Sequence, residues 1–150
     1  MKQILPIVLA GLLGGSLAAA EGDDDATPSL FIDGEVEDLS QYIWESRLVI
    51  VFADSPNDPN FGLQIEFLEA RVPELAERDV VILTDTDPSA QSALRTKLRP
   101  RGFMMVLIGK DGEVKLRKPF PWDVRELTRT IDKMPIRQRE IRDRRARQDN

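Results

Sequence analysis

The 150-residue chain contains no cysteine and no histidine. Each absence removes a block of chemistry. Without a thiol there is no disulfide, no thiolate nucleophile, no Cys-x-x-Cys redox pair, no zinc–thiolate site and no iron–sulfur cluster. Without imidazole there is no histidine general base, no Ser–His–Asp triad and no histidine-ligated metal. Beyond residue 20 there is also no apolar run near membrane-spanning length. What remains is ordinary: 41% of residues are hydrophobic, enough for one packed core, and the length suits one domain.

The first 20 residues read MKQILPIVLAGLLGGSLAAA. Lys2 supplies a positive start, and Ile4 to Leu13 is mostly apolar. Gly14, Gly15 and Ser16 break the run, and Ala18-Ala19-Ala20 precedes Glu21. That is the pattern of a secretory signal peptide cleaved between Ala20 and Glu21. The alternative, an uncleaved anchor, is disfavoured by the small, glycine-rich second half of the segment. No cysteine follows, so it is not a lipoprotein signal. The mature chain is therefore expected to start at Glu21 and to reside in the periplasm or outside the cell.

Charge is unevenly distributed. Residues 21–93 carry 18 acids and 3 bases, whereas residues 94–147 carry 7 acids and 17 bases. A basic surface for an anionic partner is one reading. The favoured one is that the two halves fold onto each other and their charges largely cancel.

Residues 21–28 (EGDDDATP) read as an acidic, disordered linker. A domain is expected over 29–135 and an arginine-rich tail over 136–150. Leu30-Phe31-Ile32 suggests a short strand ended by Asp33-Gly34. Leu48 to Ala53 is an unbroken apolar run without alternation, which predicts a strand covered on both faces. Phe61, Ile65, Leu68, Val72 and Leu75 step by 4, 3, 4 and 3 along one helical face. Pro73 should kink or split that helix. Val80 to Leu83 predicts a second buried strand. Asp87-Pro88 opens a helix running to about Leu98, before Pro100. Phe103 to Ile108 predicts a third strand, and Asp111-Gly112 the turn of a hairpin returning through Val114 to Arg117. Asp123 with Glu126 resembles a capping box in front of a helix carrying Val124, Leu127, Ile131 and Met134. The order β–α–β–α–β–β–α predicts an α/β domain: a thioredoxin-like mixed sheet of about four to five strands flanked by helices.

Three stretches carry a family resemblance: Tyr42-Ile43-Trp44 with Arg47 and the strand VIVFADS; Leu107 to Arg117 (LIGKDGEVKLR); and Ile131 to Glu140 (IDKMPIRQRE). Together they resemble a bacterial family known as domain of unknown function 4174, related to domains of vertebrate extracellular sushi-repeat proteins. The resemblance spans about Ala26 to Arg142 and implies a thioredoxin-like fold and export, not an activity. The chain departs from redox-active members of that fold. Where they place a reactive cysteine after the first central strand, this chain runs from Asp54 to Phe61. Where thioredoxins place a cis-proline, it has Met104.

Ligands of open α/β sheets bind beyond the carboxyl ends of the strands. Asp54 and Asp58 follow one expected strand, and Asp85 and Asp87 the other. Four such carboxylates could hold Ca²⁺ or Mg²⁺, although they also suit turns and helix caps. A carboxylate-pair glycosidase is a further alternative, but a chain this short has little material for its cleft. The tail, with Arg142, Arg144, Arg145 and Arg147, reads as a solvated helical extension that frays; contact with an anionic envelope surface is its sharper reading. No cofactor is implied, and export makes nucleic acid an improbable target. The expected role is a non-catalytic binding or scaffold module for a protein of the envelope, with a carboxylate- or metal-dependent enzyme and a peripheral binder of anionic surfaces as alternatives. The leader makes a direct prediction: the exported protein has an intact mass beginning at Glu21. Recovery of the full-length chain from membranes contradicts it.

Overall fold

The computed structural model describes residues 30–32 and 36–150. The signal segment 1–20, its Ala20/Glu21 junction, the linker 21–28 and the Asp33-Gly34 stop lie outside the described residues. A five-stranded sheet comprises β1 (Phe31–Ile32), β2 (Arg47–Phe52), β3 (Val80–Asp85), β4 (Met104–Ile108) and β5 (Val114–Lys118), in the order β1-β3-β2-β4-β5. β1 and β2 run parallel to β3, while β4 is antiparallel to both β2 and β5. The short edges are therefore the two-residue β1 and the polar β5. This is the mixed sheet that the apolar pattern implied.

β2 is buried along its whole length because successive side chains feed opposite faces. Val49 and Val51 join one cluster with Leu68 of α1 (Pro59–Glu69), Leu75 of α2 (Val72–Glu77), and Leu127 and Ile131 of α4 (Val124–Asp132). Leu48, Ile50 and Phe52 join the other, with Val36, Leu39, and Leu94 and Leu98 of α3 (Ala93–Leu98). Both faces of the sheet are thus covered.

Pro73 does split the expected helix. Its ring excludes an N–H and clashes with the carbonyl four residues back. α1 accordingly ends at Glu69, and α2 restarts with the proline in its first turn. The helix expected from Asp87 to Leu98 differs more. A 3₁₀ turn covers Pro88–Ala90, Gln91 takes a left-handed φ of 48°, and Ser92 caps a separate α3. Asp and Ser side chains compete locally for backbone groups, and here Asp87 and Ser92 each start their own turn. Asp123 caps α4 by accepting from the Arg125 amide. Glu126 does not complete the box; it pairs with Arg129 at 3.0 Å.

Two features surround the start of β2. The hairpin between β4 and β5 turns at Gly112 (φ +79°), where a Cβ would lie 3.2 Å from the Ile43 side chain. Beside it, Trp44 holds φ +68° and its amide donates to the Lys110 carbonyl at 2.7 Å. A left-handed backbone is unusual for a bulky residue and costs about 1–2 kcal/mol. The Trp44 side chain is nevertheless 66% exposed, so little burial offsets that strain. Trp44→Gly should therefore raise stability by about 0.5–1 kcal/mol in a urea titration; a lowered midpoint would contradict a strained backbone at this position.

Candidate functional site

The carboxyl ends of β2 and β3 form the edge where the sequence placed its candidate residues. Register sets Phe52 opposite Asp85 and Met104, so Asp54, Asp85, Asp87 and Met104 share this end. Phe61 lies in the first turn of α1 and packs against the core. Asp58 is the N-cap of α1, accepting from the Asn60 amide at 2.8 Å. Asp87 accepts from the Ser89 amide at 3.0 Å, and the Ser89 hydroxyl bond holds its carboxyl below the ordinary range. Asp54 is exposed. The Met104 thioether lies 3.9 Å from an Arg117 Nη1.

Asp85 is engaged by Arg95 of α3. The Arg95 Nε donates to Asp85 Oδ1 at 2.9 Å, and Nη2 donates to the carbonyls of Ala53 (2.7 Å) and Asp85 (3.2 Å). The Ser92 hydroxyl donates to the other Asp85 oxygen. The guanidinium also lies 5.5 Å from the centroid of the Phe52 ring. Arg95 thus bridges the carbonyl just past the end of β2 and the last carbonyl of β3. The four aspartates share an edge without converging, and no group of three or more carboxylates among the described residues is arranged to hold a metal ion.

The opposite end of the sheet holds a denser constellation. Arg47, the first residue of β2, is 1% exposed. Its Nη1 donates to the Arg78 carbonyl at 2.9 Å, and both terminal nitrogens reach the Glu140 carboxylate at 3.2 Å. Glu140 lies on α5 (Pro135–Gln148). Lys110 bridges Glu140 (2.7 Å) and Asp79 (2.8 Å). Arg137, 2% exposed, contacts Asp132 and Glu77 at 3.3 Å and Glu140 at 3.5 Å. Arg78 binds Asp132 at 2.9 Å. Four cations thus meet Glu77, Asp79, Asp132 and Glu140, and several of the contacts join the acid-rich half of the sequence to the base-rich half.

The three stretches that carry the resemblance meet here: Arg47 from the first, Lys110 from the second, Arg137 and Glu140 from the third. The first turns of α5 are consequently docked, unlike the solvated tail expected from residue 136 onward. Arg142, Arg144, Arg145 and Arg147 are exposed, with Arg144 3.6 Å from Glu77. Sequence reasoning missed the network. The available signal was Arg47 itself, a charge abutting a fully apolar strand and therefore in need of a buried counter-charge.

A cavity of about 340 Å³ borders this network, lined by Arg47, Gly109, Lys110, Asp111, Lys115 and the Met134–Ile136 segment that opens α5. Lys115 sits at a bulge: Leu107 pairs with Leu116 and Ile108 with Val114, leaving Lys115 without a cross-strand partner. Bulges re-aim side chains, and the Lys115 Nζ lies 2.7 Å from Asp111. Gly109 permits the close approach, since a Cβ there would fall 2.6 Å from Lys115 Cε. The Arg47 Nε is the one buried side-chain polar atom without a partner among the described residues. The exposed Ile43–Trp44 knuckle joins the same region through the Lys110 carbonyl.

Burial pushes the Glu140 carboxyl up, but hydrogen bonds from Lys110 and Arg47 outweigh it and hold the group below the ordinary range. The Arg78 hydrogen bond holds Asp132 low against the opposing effect of burial. Both carboxyls thus bind protons less readily folded than unfolded. Their stabilisation is complete above unfolded values of about 4 and is lost as pH falls through the lower folded values. Glu140→Gln should cost about 3 kcal/mol at neutral pH by leaving Arg47 and Lys110 under-compensated. Its stability should also fall less steeply than the parent's between about pH 5 and about pH 3. Parallel pH profiles for the two proteins would contradict this assignment.

Comparison with known proteins bears on family and fold. The model of a family described as domain of unknown function (DUF4174) matches residues 38–140. Among solved structures, a reduced 2-Cys peroxiredoxin of Plasmodium vivax is similar, with a TM-score of 0.54 and 17% identity over 68% of this chain and 83% of that one. A chloroplastic thioredoxin z has a TM-score of 0.50 and 24% identity over 68% of this chain and 92% of that one. At such identities the likeness establishes the fold alone, and that fold is thioredoxin-like.

Proposed function

The chain belongs to the DUF4174 family, and from that premise we propose that it is an exported thioredoxin-like module that binds a partner in the cell envelope and performs no chemistry of its own. The family and fold leave the activity open. With no cysteine in the sequence, thiol–disulfide exchange has no nucleophile.

One observation carries the reading: the two ends of the sheet have opposite characters. Arg95 spans the carbonyls at the edge where redox domains of this fold hold their cysteine, and its carboxylate partner Asp85 is already engaged. At the other end lie the 66% exposed Trp44, the 39% exposed Ile43 and the cavity beside Lys110. Exposed apolar side chains on a rigid support are characteristic of interaction surfaces, and strain held at such a point is a mark of functional constraint. The leader supports export, and a periplasmic or secreted location is part of the proposal. The basic outer part of α5 supports a second reading, contact with an anionic surface, because docking through Arg137 fixes where the exposed arginines begin.

The mature protein is expected to show no insulin reduction and no peroxide removal above a buffer blank. A photo-crosslinking amino acid at the exposed position of Glu45, beside Trp44, is expected to yield one discrete protein adduct in the native envelope. Turnover by metal-free protein, or no adduct from this position, would overturn the proposal. An adduct with lipid alone would favour the second reading over the first.

A further inference from the structure

The outer side of α5 carries a row of charge that the ion-pair network leaves unanswered. Arg137, Glu140 and Arg144 turn toward the body of the protein and enter that network. Arg139, Arg142 and Arg145 follow one another at steps of three along the side turned away. All three are exposed, and none enters an ion pair among the described residues. α5 also has a direction. Its start borders the β4–β5 turn, Glu140 meets Arg47 at the start of β2, and Arg144 lies 3.6 Å from Glu77, the last residue of α2. In the sheet order β1-β3-β2-β4-β5 the helix therefore crosses the amino end of the sheet from the β4 side toward β3 and β1. The chain enters β1 at that same end. β1 runs parallel to β3, Phe31 lies opposite Ile82, and the Ile82 amide donates to the Leu30 carbonyl at 2.8 Å. Leu30 is thus level with the first residues of β3, and β3 opens at Val80, shortly after Glu77.

Immediately upstream of this entry point the sequence EGDDDATP, residues 21–28, carries Glu21, Asp23, Asp24 and Asp25 and no base. We propose that in the mature protein this acidic segment docks along the outer side of α5, its carboxylates paired with Arg139, Arg142 and Arg145. Charge, reach and tethering choose this occupant. The segment and the row are opposite in sign, and the row itself contains no acid. Eight extended residues span up to about 27 Å. The path from Leu30 past Val80 and Glu77 to the row is about 15 Å, and the row is about 9 Å long. Exposed ion pairs are individually weak, but a short tether makes the encounter intramolecular, so several weak pairs act together without an association cost. The docked segment also sets a condition on contact with an anionic surface: such a surface meets this side of α5 only by displacing the chain's own carboxylates.

The inference concerns α5 and not the Ile43–Trp44 knuckle, so it stands or falls apart from the partner-binding reading. The test uses the mature protein carrying Thr27→Cys, which supplies the only thiol in a cysteine-free chain, with a nitroxide attached. The comparison protein adds Asp23→Asn, Asp24→Asn and Asp25→Asn. These keep the tether length and spare every residue of the core and of the Arg47–Glu140 network, so mere proximity is the same in both proteins. The readouts are paramagnetic broadening of the α5 amide signals and, without the label, amide hydrogen exchange over residues 142–147. Broadening is expected to be strongest at Arg142 and Arg145 in the parent. It should weaken about threefold in the asparagine variant and in about 1 M salt, where screening acts within about 3 Å. Exchange in the outer turns of α5 should be about threefold faster in the variant. Equal broadening in parent and variant, or broadening insensitive to salt, overturns the proposal. Mixing labelled chains with isotopically enriched, unlabelled ones tests the remaining source: broadening that passes between chains assigns the contact to a second copy and also overturns it.

Discussion

The end-on pairing of Arg47 with Glu140 is the contact on which the rest of the architecture depends. Arg47 begins the central strand and is almost wholly buried, so its charge requires a fixed counter-charge inside the protein. That counter-charge comes from a residue 93 positions away, on the last helix. Once the pair is made, the start of α5 is held against the β4–β5 turn, and Lys110 and Arg137 are drawn into the same network. Buried ion pairs are weak contributors to net stability compared with apolar substitutes. Their effect here is geometric: they determine where α5 lies and therefore where the cavity beside it opens.

The two ends of the sheet divide the labour accordingly. At the carboxyl end, Arg95 donates to the carbonyls of Ala53, just past β2, and of Asp85, the last residue of β3, with a single guanidinium, while Asp58 and Asp87 serve as caps. At the amino end, the charged network stands beside a strained, solvent-facing tryptophan and a cavity lined by Lys110, Asp111 and Lys115. A thioredoxin-like framework has thus kept its layers while its chemically distinctive surface lies at the other pole.

Local and periodic features were legible in the sequence. The fully apolar Leu48–Ala53 run announced a strand covered on both faces, because only burial on both sides tolerates an absence of alternation. Pro73 announced the division between α1 and α2, and Asp111-Gly112 the hairpin turn. The break between Pro88–Ala90 and α3 was not legible, since Asp87 and Ser92 are both competent caps and only tertiary contact with Asp85 favours using both. Glu140 and Arg137 looked like members of a solvated arginine-rich tail, because composition carries no trace of a partner nearly a hundred residues away. Lys115 was hidden for a related reason: a bulge changes the facing of a side chain without changing the residue pattern.

The outer strand has a consequence for how the sheet meets its own kind. Among the described residues β5 is paired on one side only, so its backbone could in principle accept another strand. It carries Lys115, Arg117 and Lys118 around a single half-buried leucine, and the border on the far side is only two residues long. Like charges brought together along one border, and too little length along the other, oppose stacking of copies into a growing ribbon. Resistance to edge-to-edge pairing is therefore carried by the rim of the described sheet, independently of whatever occupies its interior.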